Sequence, residues 1–512
     1  MESDYVIVGT GSAGSVVANR LSADPGAQVV VLEAGLRDND KFIHIPLTWA
    51  VKLFRSAVDW DYLTEPQKEL NGRQIYWPRG KMLGGSSSMN AQMWVRGFAA
   101  DYDEWAVLAG DDWDFAHVAE YFKRIEHGPL VISRQRSPRS STGAWLKAAE
   151  QCGYRIEQSN APEPDGFCET MVTQRRGARW SCADAYLKPV LRRRNFTLLT
   201  QATATRVLFD GTHAVGVEFE HAGRRRVVGA RREVVLCGGA INSPQLLMLS
   251  GIGDRQQLAG HGIDVIRHAP EVGKNLTDHL YAPLGFDAND DTYFAAEKPS
   301  QLVNYLIRRR GMLTSNGAEA YGFVRSRPEL DLPDLELVFT PGQFFDEGIG
   351  DPYNGHAVLM WSTVLKPHSR GSITLQSRDP KDKPIIDPRY LTDDAGVDRA
   401  TLMEGLRICA KIAESPALGD VIGTIARPVG ADKLDDATFE EAINSCSHTV
   451  YHPVGTCRMG SDDASVVDPQ LRVRGVNGLR VADASVMPSI IRGHTHAPSV
   501  LIGEKAADLI RG

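Results

Sequence analysis

The residue types able to do chemistry lie at the two ends of this chain. Near the N-terminus, Gly9-Thr10-Gly11-Ser12-Ala13-Gly14 spaces three glycines as G-x-G-x-x-G. Near the C-terminus stand His452 and His496, with His494 two positions before the latter. Each glycine has its own physical task. Gly9 permits a tight turn, Gly11 lets backbone approach a pyrophosphate, and Gly14 lets a helix and a strand pack closely. The amides and dipole of a helix N-terminus then favour the anion. A histidine titrates near neutral pH and can take a hydroxyl proton as general base. A second polar residue can hold the oxygen as negative charge develops on it.

These residues need a scaffold. The apolar run Tyr5-Val6-Ile7-Val8 reads as a strand buried on both faces, and the glycine loop follows at once. Residues 12–22 read as a helix with Ala13, Val16, Val17 and Leu21 on one side. Val29-Val30-Val31-Leu32 is a second strand, ending at Glu33, whose carboxylate can accept hydrogen bonds from ribose hydroxyls. This βαβ context makes the glycine pattern a dinucleotide site but does not separate NAD from FAD. Further helices are expected at 115–125, 143–152, 398–414 and 499–510. A helix at 242–249 is expected to be capped by Asn242-Ser243-Pro244. Strand signals recur at 204–209, 233–236, 335–339 and 479–482, and residues 286–450 read as a separate β-rich layer.

At 512 residues the chain is too long for one small core, so two domains are expected. A formal net charge of -7 gives no footprint for a nucleic acid. The arginine triplets at 192–194, 224–226 and 308–310 read as solvated faces or helix C-termini. They leave open a peripheral contact with an anionic membrane surface. No apolar run reaches the ~18 residues of a transmembrane helix, and a strand starting at residue 5 argues against a cleaved signal peptide. Seven cysteines without a C-x-x-C pair fit reduced thiols and a cytoplasmic location. His448, His452, His494 and His496 lack acidic or thiol partners at ligand spacing, so no metal is expected; His448 reads as structural.

Two further segments decide the cofactor. Gly80-Lys81-Met82-Leu83-Gly84-Gly85-Ser86-Ser87-Ser88-Met89-Asn90 offers a backbone-rich surface for a flat polar ring, and Cys237-Gly238-Gly239-Ala240 leads into an apolar helix. With Val272–His279, Ser369–Leu375, His452–Gly460 and Val481–Pro488, the sequence resembles the glucose–methanol–choline (GMC) family of flavin oxidoreductases, in its choline dehydrogenase-like and alcohol dehydrogenase branch. The resemblance implies an α/β fold, α+β overall. A Rossmann-like FAD-binding domain would be joined to a β-rich substrate-binding domain. Residues 1–285 are expected to be mainly FAD-binding and 286–454 mainly substrate-binding, with 455–512 returning to the FAD domain.

It further implies FAD contacts at Ser12, Ala13, Glu33, Ala34, Gly85, Asn90, Val207, Asp483 and Ala484, beside Gly9, Gly11 and Gly14 of the loop. Met89 occupies the position where some members carry a flavin-linking histidine, so dissociable FAD is expected. The family's catalytic pair falls on His452 as general base and His496 as its partner, roles that could be exchanged. His494 is expected to point the other way, so that only one of the two faces the flavin. Glu319 lies near a position where choline-acting relatives carry an acid, though an ordinary strand glutamate fits as well. The implied reaction is oxidation of an alcohol to a carbonyl, with hydride passing to flavin N5 and electrons to a quinone, another carrier or O₂. A hydroxynitrile lyase on the same fold is the alternative, and dehydrogenase is favoured over oxidase.

Overall fold

The computed structural model describes residues 1–348 and 353–512. Two sheets of seven strands each organise it. In the first, Glu2–Val8 is flanked in parallel by Val29–Leu32 and Arg224–Leu236, so that Ile7 pairs with Val31 on one side and Val235 on the other. Phe196–Leu199 extends this parallel region beyond Val29–Leu32, and Leu479–Val481 joins the end of Arg224–Leu236. His213–His221 and Ala202–Asp210 continue it as an antiparallel ribbon. Every residue of Val29–Leu32 is buried, as a strand covered on both faces requires.

Helix Ser12–Leu21 packs against the C-terminal helix His496–Arg511. The two backbones approach closely at Gly503, where a Cβ would stand 2.7 Å from the Ala13 carbonyl oxygen. Arg20 fixes the register by donating to both oxygens of the fully buried Glu504, at 2.9 and 2.6 Å. Losing one partner of such a pair would leave a buried charge uncompensated. This packing sets the start of the last helix beside the glycine loop.

The second sheet runs Ile422–Arg427, Leu280–Ala288, Ala357–Val364, Leu335–Thr340, Ala320–Val324, Phe167–Glu169, and all of these neighbours are antiparallel. His448–Thr449 pairs with the beginning of Leu280–Ala288. Helix Val397–Ala413 packs on this sheet. Phe167–Glu169 reaches it from far upstream, and Leu280–Ala288 runs through the expected boundary at 285.

Three helix starts differ from expectation, one of them at Ser140 rather than 143, and the other two bear on the site. The helix expected from residue 242 begins at Gly239. Its first amide is satisfied by the Asp483 carboxylate at 2.9 Å, which also accepts from Ser243 Oγ at 2.6 Å. The cap therefore comes from the far end of the chain, and Asn242-Ser243-Pro244 lies inside the helix. The C-terminal helix starts at His496 rather than 499, with Pro498 in its first turn, where a missing N–H costs nothing.

Candidate functional site

One cavity of about 630 Å³ reaches from the glycine loop and Glu33 to the three histidines His452, His494 and His496. The loop glycines divide as their tasks predict. Gly9 sits at φ +101°, and a Cβ there would lie 2.4 Å from the Cys237 carbonyl oxygen. A Cβ at Gly14 would lie 2.2 Å from the Gly9 oxygen. Gly11 is different: its φ is -63°, and no protein atom lies within 4 Å of where its Cβ would be. Neither backbone nor packing demands a glycine there, so the space in front of it suits a molecule held in the cavity. The helix that follows has no side-chain cap and no acidic residue in its first turn, leaving its amides for an anion. Glu33 is fixed by amides of Thr10 at 3.0 Å and Gly35 at 2.8 Å, and burial pushes its pKa up. This donor set fits a dinucleotide.

Of the expected cofactor residues, Ser12, Ala13, Glu33, Ala34, Gly85, Asn90, Asp483 and Ala484 all line the cavity. Val207 does not. It is buried, and its amide donates to Ser250 Oγ at 2.9 Å. A register irregularity between Ala204 and Arg206 changes the facing of this strand, and Ala202, Thr203 and Ala204 line the cavity instead. Asn90 Oδ1 is held by Arg179 Nη1 at 2.8 Å and the Gln92 amide at 3.1 Å. Met89 is buried and lines the cavity.

The histidines are arranged otherwise than their spacing suggests. His452 and His494 meet edge to face with ring centroids 4.7 Å apart. His496 belongs to the loop end, with Nδ1 2.9 Å from Ser12 Oγ. The expectation that His494 points away from the cavity is thus corrected, and the ring packed against His452 is that of His494. Residues two apart share a face of an extended segment, so spacing gives no reason to separate His494 from His496, and all three histidines line the cavity. Burial, and then the charge of Arg179, lowers the His496 pKa to about 4.

The protonation of His452 follows from its neighbours. His279 Nε2 lies 2.9 Å from the Leu365 carbonyl, which can only accept, so that nitrogen carries a hydrogen. Burial lowers the His279 pKa to about 3, so the ring is neutral and its Nδ1 is an acceptor. The partner 2.9 Å away, His452 Nδ1, must then be the donor. His452 Nε2 is left with a free lone pair. Burial holds the His452 pKa well below its ordinary 6.5, and the Arg79 charge lowers it further. Asp278 accepts the His452 backbone amide at 2.7 Å and Thr449 Oγ1 at 2.6 Å. The second ring, His494, donates Nε2–H to the fully buried Glu336 at 2.9 Å.

His279, Asp278 and Glu336 are functional candidates that sequence reasoning missed. The ladder pairs Leu280 with Thr449 and Tyr281 with His448, which carries residues 278–279 to His452, and spacing could not reveal that pairing. Glu336 did leave a signal, as the lone carboxylate in a strand whose six residues are all buried. His448 stays structural, close to Arg73 Nη2 at 3.2 Å. Glu319 does not line the cavity. Its carboxylate accepts from the Arg139 amide and from Thr142, Ser315 and Tyr293 hydroxyls at 2.6–2.8 Å, a closed structural net. The fold also gathers Trp49, Phe54, Phe344 and Tyr451 into an aromatic wall of the cavity, with Trp49 5.4 Å from both phenylalanine rings. These rings are too scattered in sequence to be read as a group.

Comparison with known proteins agrees with this architecture. The family models described as GMC oxidoreductase match residues 3–281 and 367–503. An uncharacterized GMC-type oxidoreductase of Mycobacterium tuberculosis is 66% identical, covering 100% of this chain and 99% of the relative. The alcohol dehydrogenase [acceptor] of Pseudomonas putida is 41% identical over 99% of this chain and 95% of its own length. The crystal structure of pyridoxine 4-oxidase from Mesorbium loti superposes with a TM-score of 0.89 at 31% identity, covering 99% of this chain and 98% of that one. With the dinucleotide loop, the two-sheet fold and these matches together, the chain belongs to the GMC oxidoreductase family of FAD flavoproteins.

Proposed function

We propose that this protein oxidises the CH–OH group of an alcohol to a carbonyl, with His452 as general base and His494 as its partner. The observation that carries the reading is the hydrogen-bond order Leu365–His279–His452, which leaves a neutral, unprotonated Nε2 on a cavity residue. His452 Nε2 takes the hydroxyl proton. His494, anchored through Nε2 to Glu336, lies against the His452 ring and positions the substrate beside it. FAD, when bound, supplies the acceptor for hydride from the carbinol carbon. Gly11, Ser12 and Ala13 would hold its pyrophosphate, Glu33 its ribose, and Gly85 and Asn90 its ring. Met89 has no nucleophile to offer, which supports dissociable FAD. The aromatic wall beside His452 favours an apolar or aromatic primary alcohol. The name of the Pseudomonas putida relative, alcohol dehydrogenase [acceptor], supports a dehydrogenase.

Substitution of the two neighbouring histidines separates their roles. His494→Ala should keep FAD and slow its reduction by alcohol by about 10–100-fold. His496→Ala should mainly weaken FAD retention, because it removes the contact to Ser12 at the loop. Anaerobic stopped-flow and the flavin content of the purified variants measure both. The reverse pattern would return the partner role to His496.

His279 should act as a positioning residue. His279→Leu removes the acceptor that fixes the His452 tautomer and should slow flavin reduction by roughly tenfold or more. His279→Gln, whose amide can both accept and donate, should recover most of the rate. A base works only when unprotonated, so a lowered pKa moves the acid limb down. The wild-type reduction rate should therefore stay level as the pH falls through 6.5. An equal loss in both His279 variants, or an acid limb above 6.5, would contradict this arrangement.

A further inference from the structure

Helix Pro299–Arg308 is packed the wrong way round for a protein surface. Tyr305, its only buried residue, faces the protein against Ile45 and Leu313. Its apolar residues face out: Leu302 is 45% exposed, Val303 53%, Leu306 61% and Ile307 76%. At 3.6 residues per turn these four fall within an arc of about 140°. Scattered exposed leucines are ordinary, but a contiguous outward stripe on one helix is not.

The charge beside this stripe is equally one-sided. Residues 298–310 carry Lys298, Arg308, Arg309 and Arg310 and no acidic side chain, although the whole chain has a net charge of -7. All four cations are exposed. The Arg309 guanidinium lies 4.7 Å from the centre of the Tyr305 ring, which ties the basic end to the body of the helix. An outward apolar stripe with flanking cations matches a bilayer interface, where acyl chains take the stripe and anionic headgroups take the arginines. Phe294, Ala296 and Glu297, just before the helix, line the cavity, so the stripe follows directly on part of the cavity wall.

We infer that helix Pro299–Arg308 docks this protein peripherally on an anionic lipid surface, with Leu302, Val303, Leu306 and Ile307 entering the interface. The docked orientation sets the cavity wall at Phe294, Ala296 and Glu297 towards the membrane, where an apolar alcohol or a lipid-soluble electron acceptor resides. The docking does not depend on the chemistry proposed for His452.

Co-sedimentation of the FAD-loaded protein with vesicles tests it. Vesicles of phosphatidylcholine and phosphatidylglycerol in equal parts should pellet the protein at low salt, and pure phosphatidylcholine should do so at least about tenfold less well. Added salt should release it. The double substitution Leu306→Glu with Ile307→Glu should weaken binding at least about tenfold. It should leave flavin absorbance and reduction by a water-soluble alcohol unchanged. Arg308→Gln, Arg309→Gln and Arg310→Gln together should abolish the preference for phosphatidylglycerol. Wild-type protein that stays in the supernatant at low salt would overturn the inference. So would unimpaired binding of the Leu306→Glu, Ile307→Glu variant. A concentration-dependent dimer dispersed by that same pair, with no vesicle binding, would assign the stripe to a second copy of the chain instead.

Discussion

Replacing His452 by alanine should leave FAD bound and slow its reduction by alcohol by about 10²–10⁴-fold, the usual contribution of a positioned base. The size follows from how completely the site is organised around one nitrogen. Asp278 holds the backbone amide, His279 holds Nδ1, and burial keeps the ring neutral, so Nε2 is the lone pair presented to a substrate hydroxyl. No cofactor-binding residue of the loop depends on this side chain, so flavin content should not change. A His452→Ala enzyme that reduces its flavin at the wild-type rate would place the base elsewhere.

Gly11→Val should give a folded protein that purifies without FAD. Its Cβ would meet no protein atom within 4 Å, and its φ of -63° is open to any residue. The added side chain therefore fills the space that the pyrophosphate needs. Gly14→Val should behave differently, since its Cβ would lie 2.2 Å from the Gly9 oxygen and the helix could not seat on the strand. The contrast is measurable as flavin absorbance against thermal unfolding. Gly11→Val should lose the flavin spectrum while still unfolding cooperatively, and Gly14→Val should lose both. A fully yellow Gly11→Val protein would contradict the cradle.

What could be read from the sequence was what local rules determine. The βαβ unit from Glu2 to Leu32, the acid Glu33 at its end and most helix positions follow from periodicity, and the structure has them. Almost all residues implied for the cofactor do line the cavity. The failures share one cause, which is long-range packing. Val207 misses the cavity because of an irregularity in its strand's pairing. The helix at Gly239 starts early because Asp483, from the other end of the chain, caps it. His496 sits at Ser12 because Arg20–Glu504 and the contact at Gly503 fix how the last helix crosses the first. His279 reaches His452 through a strand pairing that no spacing announces. Glu319 looked suited to a cationic substrate, yet four donors already surround it. One clue was present and overlooked: a carboxylate inside the apolar strand Leu335–Thr340, which turns out to anchor His494.

The central claim is that an alcohol delivers its electrons to FAD in the cavity shared by His452 and His494. The most direct test is anaerobic mixing of the purified FAD-loaded protein with a panel of primary aliphatic, aromatic and cationic alcohols, watching the visible flavin band. At least one apolar or aromatic alcohol should bleach the band and yield the corresponding carbonyl, with a far slower bleach in His452→Ala. A flavin that stays oxidised with every alcohol, in a protein that dithionite readily reduces, would contradict the claim.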